Sequence, residues 1–275
     1  MGKVLTAAEV TKFRQNGWLA PMRAISAAEA GAALDRIEAF EKQYGRAGND
    51  LLRLRSHIVL PWVAALGRRK EILDVVEDII GPNIRLLVSS IFSKAAQSPS
   101  FVSWHQDSSP LGLTPHESLT AWVAFSESTT ANGCLRVLPG SHLGEDRTHV
   151  DTYDKDNLLG RGQAIADIDE KQAVNVELEP GQFSIHHERT AHGSGPNTTS
   201  RRRVGFSFFY IPTHVRSVGR GRRPSLLVRG VDTYGYWVDE IEPQAEMEPE
   251  ALASLETMLG RYRDSAAARG KQDAG

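Results

Sequence analysis

Trp104-His105-Gln106-Asp107 sets an imidazole and a carboxylate two positions apart. On an extended strand that spacing points both side chains to one face, so His105 and Asp107 can converge on a single point. A second cluster follows in Gly181-Gln-Phe-Ser-Ile-His186-His187-Glu-Arg-Thr-Ala-His192-Gly-Ser194-Gly-Pro196-Asn197. Two histidines and one carboxylate from different strands make a facial triad for Fe(II), with the remaining positions open to a cosubstrate and oxygen. His192 would complete such a triad. The His-x-Asp spacing by itself also describes a strand-end histidine beside a turn aspartate that caps the next loop. His186 and His187, being adjacent, face opposite sides of a strand, and either could stand in for His192 as a ligand.

From Arg203 onward the sequence alternates. Arg203, Gly205, Ser207 and Phe209 share one face, and Val204, Phe206, Phe208 and Tyr210 share the other. The second set is a core face; the first leaves room. An arginine among small residues inside a barrel must meet an anion, because burying an unpaired guanidinium is costly. A dicarboxylate cosubstrate would supply that anion.

These groups need a β scaffold. Apolar residues at helical spacing and the caps Thr6-Ala-Ala-Glu9 and Ser26-Ala-Ala-Glu29 make the first third helical, as far as Gly81-Pro82. Seven β-rich runs follow: Ile84 to Phe92, Phe101 to His105, Ser118 to Phe125, Cys134 to Leu138, Val174 to Leu178, Gln182 to His187 and Val204 to Ile211. Runs of that number separated by turn residues suggest a sandwich or barrel. Pro249 suits the first position of a closing helix, Glu250 to Arg269, ahead of a polar tail from Gly270 that is expected to fray. The longest irregular stretch is Gly140 to Lys171, of a length typical of functional lids or disordered segments. A second polar loop, Arg216 to Arg223, reads as a solvated face or as a grip on phosphate or carboxylate.

The 275 residues are 40% hydrophobic and 24% charged, which fits an ordinary folded chain with a large core. With 32 Lys+Arg against 34 Asp+Glu, the net charge of −2 gives no global reason to bind nucleic acid or an anionic membrane. The one cysteine, Cys134, supplies neither a disulfide nor a thiolate cluster and reads as a small apolar core residue, leaving histidine and carboxylate as metal ligands. Together with the lack of an apolar leader or an apolar run of eighteen, this makes a reducing, cytoplasmic setting the expectation. Gly2 and Thr6 also fit a loose myristoylation pattern, but the capping box explains the same residues. Asn197-Thr198-Thr199, a glycosylation sequon in form, is read as a turn.

Four segments and one spacing, taken together, resemble the phytanoyl-CoA dioxygenase family of Fe(II)/2-oxoglutarate-dependent oxygenases. They are Trp104-His-Gln-Asp107, Thr120-Ala-Trp122, Asn132-Gly-Cys-Leu-Arg-Val-Leu-Pro-Gly-Ser-His142 and His192-Gly-Ser-Gly-Pro-Asn197, with Arg203 eleven residues after His192. The resemblance implies a mostly β fold with flanking helices around a double-stranded β-helix (jelly-roll, cupin-like) core. It divides one domain, 1–275, into a helical region 1–82, a core 83–212 and an extension with helix 213–275. It implies iron held by His105, Asp107 and His192, and 2-oxoglutarate bound by Arg203 with Ser194, Trp122 and Thr120 nearby. Without it Trp122 would read as core in preference to a site residue.

Iron held by three protein groups can chelate the 1-carboxylate and keto oxygen of 2-oxoglutarate and keep one site for O2, while Arg203 grips the distal carboxylate through two parallel bonds. Decarboxylation yields succinate, CO2 and an oxidant that takes a substrate hydrogen, with hydroxylation the default outcome and desaturation or ring closure open to the same chemistry. The halogenating relatives lack the carboxylate that Asp107 supplies, which sets halogenation aside. The expected partner is a small-molecule metabolite, natural-product tailoring being favoured over acyl-CoA breakdown, with no nucleic acid or membrane and no signature of oligomeric state. The alternative is a jelly-roll metal-binding protein or cupin-like enzyme that does not use 2-oxoglutarate. His142 is expected to order its loop or line the pocket; His57, His116, His149 and His214 belong to no constellation. Both long loops are expected at the barrel mouth.

Overall fold

The computed structural model describes residues 2–219 and 221–272, the side chains of Pro110 and of 261–272 excepted. The strands of its two main sheets are β1 (Trp18–Arg23), β2 (Ile84–Lys94), β3 (Val102–His105), β4 (Leu119–Ala124), β5 (Leu135–Val137), β6 (Val174–Val176), β7 (Gln182–His187), β8 (His192–Ser194), β9 (Arg203–Pro212), β10 (Pro224–Arg229) and β11 (Val238–Asp239). The larger sheet runs β1-β7-β4-β9-β2-β10-β11 and the smaller β3-β8-β5-β6. Pairing is antiparallel except between β10 and β11. The two sheets form the expected jelly-roll.

Alternation along β9 assigns the layers. Val204, Phe206, Phe208 and Tyr210 point outward from the cavity, beside Ala121 and Val123 of β4 and Phe183 and Ile185 of β7. Helices α1 (Ala7–Asn16), α2 (Ala27–Tyr44) and α3 (Lys70–Ile80) cover this face with Phe13, Ile37, Phe40, Ile72 and Val76, and α4 (Pro249–Gln272) adds Leu255 and Leu259. Burying side chains of this size contributes roughly 1.5–3 kcal/mol each, which makes this interface the main source of stability. The opposite faces of the two sheets meet through Trp122, Ala124, Val137 and Val176. Beyond that contact they line, together with the segment of Arg55, the Gly140–Lys171 loop and α4, an open cavity of about 1720 Å³.

The caps form where the sequence sets them. Thr6 and Ser26 each make a capping box, and Gly17 and Gly45 end their helices in the left-handed conformation. The helical first third needs one correction: Trp18-Leu-Ala-Pro-Met-Arg23 is β1, paired with β7. Pro21 is tolerated there because β1 is an edge strand. The extension after 212 also contributes β10, whose Leu226, Leu227 and Arg229 pair with β2. Gly140 to Lys171 is tied down by the paired segments Val150–Asp151 and Gln163–Ala164. Helix α4 continues to Gln272, so the tail expected to fray from Gly270 is helical that far, and 273–275 lie outside the described residues. No helix among the described residues is long and apolar enough to cross a membrane.

Candidate metal centre

Strand β3 ends at His105 and β8 begins at His192, and the two residues are direct partners in the ladder. Their rings therefore lie side by side, centroids 4.1 Å apart. Each Nδ1 sits 2.9 Å from a backbone carbonyl, Ser103 for His105 and Thr190 for His192. A carbonyl only accepts, so both Nδ1 atoms carry the proton and both Nε2 lone pairs are free to bind a metal. They face Asp107 Oδ1 at 3.5 and 3.9 Å. One ligand atom from each of the three residues lies within 4.8 Å of the other two.

The electrostatics suit a cation. Burial alone would raise the Asp107 carboxyl, but His192, His105 and His186 around it hold it well below the usual carboxylate range. Burial, and then the neighbouring His105 and His186 rings, drive His192 well below the usual imidazole range, so it is neutral. A carboxylate beside a neutral imidazole is the protonation state metal binding requires.

Asp107 is itself held. Thr120 Oγ1 donates to its Oδ2 at 2.8 Å. Of the adjacent histidines on β7, His186 faces the cavity, its ring 4.3 Å from His192 and its Nε2 3.6 Å from Asp107 Oδ2. Neither nitrogen of His186 has a hydrogen-bond partner among the described residues, although the residue is buried. His187 turns the other way and donates to the His116 carbonyl at 3.1 Å.

Glu188 follows, fully buried, its carboxyl pushed up to about 8 by burial and by nearby Asp107 and Asp146. A carboxyl that holds its proton more tightly when folded favours the folded state fully below 4.5, its ordinary value, and loses that contribution as pH rises through about 8. In metal-free protein, Glu188→Gln is expected to flatten the stability profile between those limits. Urea midpoints across the range check this, and parallel profiles for the two proteins would count against it.

Directly across the ladder, Arg203 on β9 pairs with Lys94 on β2. Arg203 is 3% exposed, donates to the Gly133 carbonyl at 2.8 Å, rests on the Trp122 ring at 5.2 Å and has no partner at Nε among the described residues. The room expected beside it at Gly205 holds this indole, which a Cβ there would overlap. Lys94 Nζ donates to Ser194 Oγ at 2.6 Å and to the Gly195 carbonyl. Burial and then the Arg203 charge pull Lys94 down to about 6, and burial lowers Arg203 to about 10. A buried guanidinium beside a buried amine, both meeting only neutral acceptors among the described residues, marks a place where a bound anion would be stabilised and would restore the lysine's charge.

Arg203, Ser194 and Trp122 thus come together, whereas the Thr120 hydroxyl is spent on Asp107. Lys94 is a member the sequence reading lacks, because only the β2–β9 register puts it opposite Arg203. His142 orders its loop by donating to the Arg14 carbonyl at 3.0 Å. His149, without a constellation in the sequence, lines the cavity and accepts from the Gln106 amide at 2.9 Å. Cys134 is buried and its thiol is pushed up by burial, in keeping with a packing role. Both long loops reach the cavity, through Asp151 and Arg161 in one and Arg223 in the other.

Comparison with known proteins agrees with this geometry. The family model described as Phytanoyl-CoA dioxygenase (PhyH) matches residues 2–205. A probable alpha-ketoglutarate-dependent hypophosphite dioxygenase of Stutzerimonas stutzeri is 32% identical over 203 residues, 72% of this chain and 68% of that protein. A probable phytanoyl-CoA dioxygenase of Caenorhabditis elegans is 26% identical over 210 residues, 74% of this chain and 67% of that protein. Among solved structures, the apo form of the non-heme monooxygenase ThoJ superposes with a TM-score of 0.81 at 33% identity, covering 94% of this chain and 99% of that one. The chain belongs to the phytanoyl-CoA dioxygenase (PhyH) family and is a dioxygenase of the Fe(II)/2-oxoglutarate-dependent kind.

Proposed function

We propose that this enzyme hydroxylates a small-molecule metabolite with Fe(II), 2-oxoglutarate and O2. The observation that carries the reading is one cavity faced by two sets of groups, His105, Asp107 and His192 in one and Arg203 and Ser194 in the other, with Lys94 bonded to Ser194 behind them. The first set holds iron through two Nε2 atoms and one carboxylate oxygen. The second holds the distal carboxylate of 2-oxoglutarate, with Trp122 pressed on the guanidinium. When bound, iron and 2-oxoglutarate supply the oxidation, and succinate and CO2 are the cosubstrate's products.

The chain's own groups set the geometry. Ser103 and Thr190 carbonyls aim the two imidazoles, and the Thr120 hydroxyl engages Oδ2 of Asp107 so that Oδ1 faces them. Groups that orient ligands in this way are commonly worth 10–100-fold in metal affinity. Thr120→Val, nearly the same shape without the hydroxyl, is expected to weaken Fe(II) binding by roughly that factor. Competitive metal titration measures it; equal affinity in the two proteins would remove Thr120 from this role.

Two features support the choice of reaction and substrate. Asp107 occupies the position that halide would need, which favours oxygenation. The likeness to a non-heme monooxygenase runs nearly end to end in both chains, while the probable phytanoyl-CoA dioxygenase is more distant by identity. Tailoring of a natural-product intermediate is the reading preferred over acyl-CoA breakdown, and the metabolite panel below decides between them.

Anaerobic addition of Fe(II) and 2-oxoglutarate should produce the weak visible charge-transfer band of the bidentate chelate. Folded, iron-loaded protein without that band would instead be a cupin-like metalloprotein. A metabolite panel scored for stimulated succinate release then finds the substrate, and the product mass separates a gained oxygen from lost hydrogens.

A further inference from the structure

We propose that His186 is a positioning residue of the metal centre: together with the Thr120 hydroxyl it grips Oδ2 of Asp107 and so leaves Oδ1 alone for the metal. This rests on His105, Asp107 and His192 being the ligand set of the dioxygenase described above.

Strand register brings the two gripping groups together. His186 on β7 is the direct partner of Thr120 on β4. Directly opposed residues on neighbouring strands send their side chains to the same face, and both residues line the cavity with Asp107. On its other side His186 is partnered by Trp18 of β1, so it stands within the larger sheet and is 2% exposed.

The two oxygens of Asp107 meet different chemistry. Oδ1 faces Nε2 of His105 at 3.5 Å and Nε2 of His192 at 3.9 Å. Both of those nitrogens present lone pairs, because each ring spends its Nδ1 proton on a backbone carbonyl. Three lone-pair atoms turned towards one point suit a cation. Oδ2 faces donors instead, the Thr120 hydroxyl at 2.8 Å and Nε2 of His186 at 3.6 Å. A carboxylate oxygen accepts, so the nitrogen of His186 that faces it is the one that carries a proton. An oxygen of this kind has room for two donors, and Thr120 takes one place while His186 is aimed at the other.

The 3.6 Å separation is longer than a finished hydrogen bond, and neither ring nitrogen has a partner among the described residues. Burying a donor without an acceptor is costly. A small movement of the carboxylate towards the ring completes the bond, and hydrogen bonds in active sites commonly tighten when the ligand arrives. Asp107 is thereby tied to the larger sheet through Thr120 and His186, while the two imidazole ligands belong to the smaller sheet. A carboxylate free to turn could offer both oxygens and take a position that the cosubstrate needs; held at Oδ2, it offers one.

The test titrates metal-free protein with Co(II) alone, whose visible bands report coordination and whose titration gives the affinity, with no turnover required. His186→Phe should weaken Co(II) binding by about 10–100-fold and alter the bands. His186→Gln, whose amide donates but is a poor metal ligand, should recover most of the loss. Because Thr120 and His186 hold the same oxygen, the loss in the Thr120→Val, His186→Phe double variant should fall well short of the product of the two single losses. Unfolding midpoints establish that each protein is folded, and His186→Leu replaces His186→Phe if the latter is not. Unchanged affinity in His186→Phe, a His186→Gln protein as weak as His186→Phe, or fully multiplicative losses would each overturn the inference. Wild-type protein that takes up no Co(II) would sink the metal centre itself, whereas normal uptake that is indifferent to residue 186 sinks this inference alone.

Discussion

Asp107→Ala and His105→Ala should each lower 2-oxoglutarate-dependent succinate formation by about a thousandfold or more, the scale on which removal of one member of a cooperating set is felt. The three ligand atoms lie within 4.8 Å of one another, and no other group among the described residues completes such a cluster. Losing Asp107 leaves two imidazoles with no negative charge between them and frees Thr120 of its acceptor. Losing His105 removes one of the two Nε2 donors and opens a void beside the His192 ring, which lies 4.1 Å from it centroid to centroid. His192→Ala is a subtler experiment, because the His186 ring is only 4.3 Å away and could supply a nitrogen; the His186→Phe, His192→Ala double variant closes that route. Iron content and succinate release, measured on variants whose unfolding midpoints show them folded, decide the matter. Undiminished turnover in Asp107→Ala would end the assignment of the centre.

Arg203→Ala should leave iron binding intact and weaken 2-oxoglutarate binding by roughly 2–5 kcal/mol, the cost of removing one partner from a buried, hydrogen-bonded charge pair. The selectivity arises because Arg203 lies on β9 in the larger sheet, whereas His105 and His192 lie on β3 and β8 in the smaller. Lys94 cannot fully substitute. Burial already depresses its ammonium to about 6, and a point charge lacks the two-pronged geometry of a guanidinium. Arg203→Lys should therefore recover only part of the loss. The KM for 2-oxoglutarate and the titration of the charge-transfer band report it independently, and unaltered values in Arg203→Ala would take Arg203 out of cosubstrate binding.

Much of this site was legible before any coordinates. The His105-x-Asp107 spacing, the eleven residues from His192 to Arg203 and the alternation after Arg203 are local patterns, and local backbone geometry makes them readable. The same holds for the Thr6 and Ser26 caps, where three residues of spacing suffice. The adjacency of His186 and His187 determined that they face opposite ways, and the sequence alone determined no more. Which one enters the cavity depended on how β7 pairs with β4. Lys94 beside Arg203, the Thr120 hydroxyl on Asp107, Trp18–Arg23 as a strand within a helical region, and Arg223 as the arginine of its loop that lies over the Trp237 ring all depended on contacts between distant segments. Register is the reason: a strand shifted by one residue exchanges its buried and exposed faces, and only the burial of whole sheets against one another selects a single alignment.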